Sequence, residues 1–75
     1  SLSTSFNRWL KRFKLALELE RGEIVQIMKL GGIEITNSRA DGWLRGKADD
    51  RRSAVMTAVE FDAFTSGLVE WMRKQ

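Results

Sequence analysis

Cysteine, histidine and proline are all absent from this 75-residue chain, and each absence removes something. Without Cys there are no disulfide staples, and without Cys and His the usual structural zinc sites are excluded. The same two absences take away the commonest catalytic bases, nucleophiles and transition-metal ligands. No enzyme, metal or cofactor is therefore expected. Without Pro, and with no low-complexity tract, no internal linker is visible. No apolar run approaches the roughly 18 residues needed to span a bilayer, and the N-terminus lacks a basic-then-apolar leader pattern. The expectation is a cytoplasmic protein without membrane association: one helical domain over residues 1–75, with residues 1–5 a flexible or processed N-terminus.

What is present is apolar and mildly basic. Hydrophobic residues make up 43% of the chain, with three Trp and four Phe. That is enough for a core in a domain near the size where a single core only just suffices. The net charge of +3 and pI of 9.8 are weaker than most dedicated nucleic-acid binders need for affinity by charge alone.

Apolar spacing divides the chain into four helices, which predicts an all-α orthogonal bundle. In the first, about Phe6 to Leu19, Phe6, Trp9, Leu10, Phe13, Ala16 and Leu17 recur at three and four and form one stripe. Ser3, Thr4 or Ser5 is available as its cap. Gly22 breaks the pattern, and a second helix, Glu23 to Leu30, carries Ile24, Val25, Ile27 and Met28 before Gly31 or Gly32 ends it. Ile33 and Ile35 sit in an extended connection and are expected to plug the core. A short third helix, Asn37 to Arg45, is capped by Thr36 and anchored by Trp43 and Leu44. It contains Gly42, which is either tolerated at a cost of about 1 kcal/mol or placed where another backbone comes close. A charged loop, 47–53, leads to the fourth helix. There Thr57 and Glu60 have capping-box spacing, Met56 and Phe61 form a hydrophobic staple, and Phe61, Phe64, Leu68, Trp71 and Met72 make the stripe. The first and last helices are expected to supply most of the core, together with Ile24, Ile27, Ile33, Ile35 and Leu44.

The element Lys29-Leu30-Gly31-Gly32, followed by Ile35-Thr36, Trp43-Leu44 and then Phe64, Gly67, Leu68 and Val69, resembles the YehS-like bacterial domain of unknown function. The resemblance runs from about Phe13 to Trp71, and the Leu-Gly-Gly element is its most specific part. It implies a small all-helical fold, often in two tandem copies, of which this chain holds one. It also implies a bacterial source, structural roles for Gly31, Gly32 and Gly67, and no established activity. The chain departs from the pattern at Arg39-Ala40-Asp41-Gly42, where a better helix former is expected.

Two readings of function follow from the residues. The middle pair of helices is helix-turn-helix-like, and recognition helices meet base edges with their first turn. Asn37, Ser38 and Arg39 occupy that turn and would read bases, Asn37 suiting adenine and Arg39 guanine. Arg45, Lys47, Arg51 and Arg52, with the cations Arg8, Lys11, Arg12 and Lys14 of the first helix, would contact phosphates. Against this, the connection after Gly31 is long for such a unit, and Asp41, Asp49 and Asp50 place negative charge nearby. With Trp9 and Phe13 beside them, the first-helix cations suit an acidic partner or an anionic membrane surface as well as nucleic acid, and they also suit an ordinary solvated face. DNA is nevertheless the most specific guess for a binding module without catalysis. The alternative is a protein-interaction or self-association domain, with Trp71 and Met72 at the exposed end of the fourth helix making a homo-oligomer or holding a partner. Gly31-Gly32 is no phosphate cradle, because it follows a helix where the dipole disfavours an anion. Asp49-Asp50 beside Arg51-Arg52 reads as a self-neutralising loop and lacks the spacing of a Ca²⁺ site.

Overall fold

The computed structural model describes residues 2–45 and 51–75, the side chains from Phe6 onward. Its helices are α1 (Leu2–Leu17), α2 (Arg21–Leu30), α3 (Asn37–Leu44) and α4 (Ala58–Arg73), and no strand occurs among the described residues. The fold is an all-α four-helix bundle with a Cα radius of gyration of 11.5 Å. No described helix is long and apolar enough to cross a membrane.

The ends of these helices follow local chemistry. Thr36 caps α3, its hydroxyl accepting from the Arg39 N–H at 3.1 Å. Thr57 caps α4 in the same way, accepting from Glu60 N–H at 3.1 Å, while the Glu60 carboxylate accepts from the Thr57 N–H at 2.9 Å. Both starts match the sequence reading. The chain closes α1 and α2 with the same device, a residue in the left-handed region followed by a bond back over five residues. In α2 that residue is Gly32 (φ 99°), and Ile33 N–H donates to Met28 O at 3.0 Å. In α1 it is Glu18 (φ 53°), and Leu19 N–H donates to Lys14 O at 2.9 Å.

Three boundaries differ from expectation by two residues or more, and α3 ends one residue early, at Leu44. Helix α1 ends at Leu17, because Glu18 adopts a conformation that only a glycine would have advertised. It begins at Leu2, so the helix already runs through Ser3, Thr4 and Ser5 and none of them caps it. Helix α2 begins at Arg21, with Gly22 in its first turn rather than as a breaker. There Glu23 accepts from the Glu20 N–H at 2.7 Å, and a first-turn glycine lacks an intrahelical N–H bond to lose.

The core is centred on α2 against α4, the most extensive helix pair in the fold. Ile24, Ile27 and Met28 pack with Ala63 and Phe64, joined by Leu10, Leu19, Ala40, Trp43 and Met56. Ile33, Ile35 and Leu44 are only partly buried at its edge. Helix α1 meets α4 through rings, with Phe6–Phe61 centroids 5.2 Å apart and Phe13–Phe64 5.9 Å apart. The expectation that α1 and α4 form most of the core is thus corrected, since α2 takes that place.

Glycine makes the α2–α4 crossing possible. A Cβ at Gly67 would overlap the carbonyl oxygen of Ile27, and one at Gly31 would overlap that of Ala63. The backbones touch with no side chain between them. Gly42 settles its either-or in the same direction, since a Cβ there would lie 2.9 Å from the Arg52 carbonyl oxygen. At Gly22 there is nothing within 4 Å.

These geometries predict opposite signs for one chemical change. Gly67→Ala gains about 1 kcal/mol of helix propensity yet should destabilise the protein by about 2 kcal/mol or more through the clash. Gly22→Ala should be neutral or stabilising by up to about 1 kcal/mol. Urea unfolding followed by Trp fluorescence checks both. A stabilised Gly67→Ala variant would show that the backbones are not in contact.

Candidate binding surfaces on α1 and α3

The first turn of α3 carries Asn37, Ser38 and Arg39, all exposed, on the solvent side of a helix whose other face buries Ala40, Gly42 and Trp43. Arg39 is committed elsewhere. Its Nε and Nη2 meet Glu60 Oε2 at 2.8 and 2.7 Å, and its guanidinium lies over the Trp43 ring, 5.4 Å from the centroid. Glu60 divides its oxygens between two tasks, Oε1 closing the α4 capping box and Oε2 holding Arg39. Burial by itself would raise the Glu60 pKa, but the Thr57 N–H, the Arg39 guanidinium and the Thr57 side chain outweigh it and hold the carboxyl below its ordinary 4.5. Asp41 is also paired, with Arg21 of α2 at 3.0 Å, an exposed contact worth under about 1 kcal/mol.

Of the cations expected to contact phosphate, Lys11, Arg45 and Arg52 lie toward the other end of α3. Asn7 of α1 organises this end. Its Nδ2 donates to Trp43 O at 3.2 Å and to Ala54 O at 2.8 Å, while its Oδ1 accepts from Met56 N–H at 2.7 Å. One turn later on the same face of α1, Lys11 Nζ donates to Arg45 O at 3.0 Å. That places an ammonium at the negative end of α3. Arg52 passes beside Gly42, where Ala54 N–H donates to Gly42 O at 3.0 Å. Lys11, Arg45 and Arg52 thus share one corner, with the exposed Arg51 adjacent in the chain. Lys47, Asp49 and Asp50 lie outside the described residues. Asn37 is separated from this corner by the length of α3, roughly 10 Å at 1.5 Å per residue.

The C-terminal pair splits. Trp71 is partly buried and packs against the core, whereas Met72 is 50% exposed. The larger apolar exposure lies on α1, where the sequence reading expected core. Leu10 is fully buried, and Phe6 and Phe13 pack on Phe61 and Phe64. Trp9, however, is 48% exposed, and Ala16 and Leu17 are open as well. Arg12 lies over the Trp9 ring, 5.0 Å from its centroid. Trp9, Arg12, Phe13 and Ala16 together line a shallow apolar depression. Asn7 and Glu60 were missed as site residues, while of this edge the sequence shows Trp9 and Phe13 only as the apolar side of a basic amphipathic helix. The apolar stripe was visible but wider than its neighbours could cover, and nothing local told which side would stay open.

Among the described residues there is no group of three or more His, Cys, Asp or Glu side chains placed to hold a metal ion.

The Glu60 clasp has a signed pH dependence. Its folded pKa is depressed, so its stabilisation is present above the ordinary value of 4.5 and is lost as pH falls through the folded value. Glu60→Gln should cost about 1 kcal/mol at neutral pH, a modest figure because Arg39 is well exposed. The gap in melting temperature from the parent chain should close in acid. A gap that persists unchanged well below pH 4.5 would show that the charge of Glu60 is irrelevant.

No curated protein and no solved structure matches the chain. A family model does match, over residues 6–74, nearly the whole length and wider than the stretch that carried the resemblance. The chain belongs to the family described as protein of unknown function DUF1456.

Proposed function

We propose that this domain is a non-catalytic module that binds a protein partner along the outer edge of α1. The observation supporting this reading is the open Trp9 edge: a half-exposed indole under the Arg12 guanidinium, continuous with Phe13 and Ala16 around an apolar depression. Tryptophan and arginine are the residue types most enriched where interfaces concentrate their energy. A tryptophan left half open in so small a chain is better accounted for by a partner than by core packing. Absence of catalysis is part of the proposal. The Glu60 carboxyl, whose pKa is shifted, is spent on a cap and an ion pair, and the chain contains neither Cys nor His. The setting proposed is the bacterial cytoplasm.

Nucleic-acid binding is the second reading, favoured by the corner that gathers Lys11, Arg45 and Arg52 from three separate segments. Phosphate contact suits that corner. Base reading by Arg39 would require it to leave Glu60 and Trp43, whereas Asn37 and Ser38 are exposed in the first turn of α3. A third possibility within the binding class is a second copy of the chain, using Met72 and the neighbouring exposed Val69.

A photo-crosslinking phenylalanine analogue placed at Ala16, and separately at Asn37, tests these readings in cells. The partner reading expects a discrete protein adduct from position 16 that disappears in a Trp9→Ala background, with melting temperature lowered by only a few degrees. Adducts to nucleic acid from position 37, with none to protein from position 16, would replace it with the second reading.

A further inference from the structure

The charge around the α1 edge narrows the partner. From Leu2 to Leu17 the helix carries Arg8, Lys11, Arg12 and Lys14 and no acidic residue. Lys11 turns toward α3, donating to Arg45 O. Arg8 and Arg12, both exposed, stand one turn apart on the flank of the Trp9–Ala16 edge. Spacings of four and seven from Trp9 through Phe13 to Ala16 give the depression the direction of the helix axis, the shape that accepts a second helix lying alongside.

We infer that this edge docks an amphipathic helix with an acidic flank, its apolar side chains on Trp9, Phe13 and Ala16 and its carboxylates on Arg8 and Arg12. The inference rests on the partner reading proposed above and adds the chemistry of the partner. Arginine suits the task, because its fork pairs with a carboxylate while its plane stays on an aromatic ring, and Arg12 already lies on Trp9. A second copy docking through the same edge is disfavoured. Two-fold antiparallel pairing about the centre of this edge would bring Arg12 close to its own counterpart, with no acid within α1 to separate them. Nucleic acid would satisfy the arginines but leave the depression beside Trp9 unfilled.

The test uses the full chain and two designed, fluorescently labelled helices of about 20 residues. They share one Leu-rich face; one is flanked by Glu and the other by Lys. Binding is read by anisotropy at low salt for the parent chain, for Trp9→Ala and for the double variant Arg8→Glu with Arg12→Glu. The altered residues are all exposed, and circular dichroism confirms that each variant is folded. The acidic helix should bind at least about ten-fold more tightly than the basic one. The double charge reversal should invert that order, and Trp9→Ala should weaken the acidic helix by about ten-fold or more. Equal binding of the two helices would overturn the charge selection while leaving apolar docking standing. Failure of both helices would overturn the docking reading as well. Concentration-dependent dimerisation abolished by Trp9→Ala would assign the edge to a second copy and overturn the inference. It would also be overturned if random-sequence duplex DNA bound with loss in the charge-reversed variant and none in Trp9→Ala, because the arginines would then serve a polyanion.

Discussion

Direct backbone contact between α2 and α4 is the constraint from which the remaining packing follows. Gly31 and Gly67 let the end of α2 lie on the middle of α4 with no side chain between them. At that separation Ile24, Ile27 and Met28 reach Phe64 and Ala63, and the fully apolar centre forms there. Helix α1 then has only the remaining side of α4 to meet. It uses Phe6 and Phe13 against Phe61 and Phe64 and inserts Leu10. Trp9, on the flank of the same stripe, stays half open.

Polar contacts supply orientation that apolar packing alone does not. Asn7 makes three bonds to the end of α3 and to the 54–56 segment, so α1 and α3 are tied in one register. Arg39 and Glu60 tie the start of α3 to the start of α4 through the same carboxylate that closes the capping box. Such shared groups are economical but exclusive. While Arg39 lies between Glu60 and Trp43 it serves the fold. The two candidate surfaces differ in kind. One is an apolar edge with arginines beside it, and the other a gathering of cations around a helix end.

Family membership covers nearly the whole chain and carries no assigned activity, so function has to be argued from these surfaces. The residues that carry the resemblance are mostly those that make the fold. Gly31 and Gly67 permit the crossing, Gly32 closes α2 in the left-handed region, and Trp43 fills the centre. The α1 edge lies within the stretch that the family model matches.

Features settled within a few residues could be read directly from the chain. Thr36 and the Thr57–Glu60 pair announce helix starts, because a cap needs only its own first turn. Gly31-Gly32 announces a helix end, because glycine takes the left-handed conformation cheaply. Apolar spacing announces four helices, and the absence of Cys and His excludes whole classes of chemistry. The tertiary structure decided whatever depended on a distant neighbour. Glu18 closes α1 without a glycine and beside the buried Leu19. Gly22 is harmless because nothing lies near it, while Gly67 is indispensable because Ile27 does. Arg39 meets a carboxylate twenty-one residues away, and Trp9 stays half open although it belongs to the apolar stripe of α1. A periodic stripe states that a side chain is apolar; only the partners that reach it state whether it is covered.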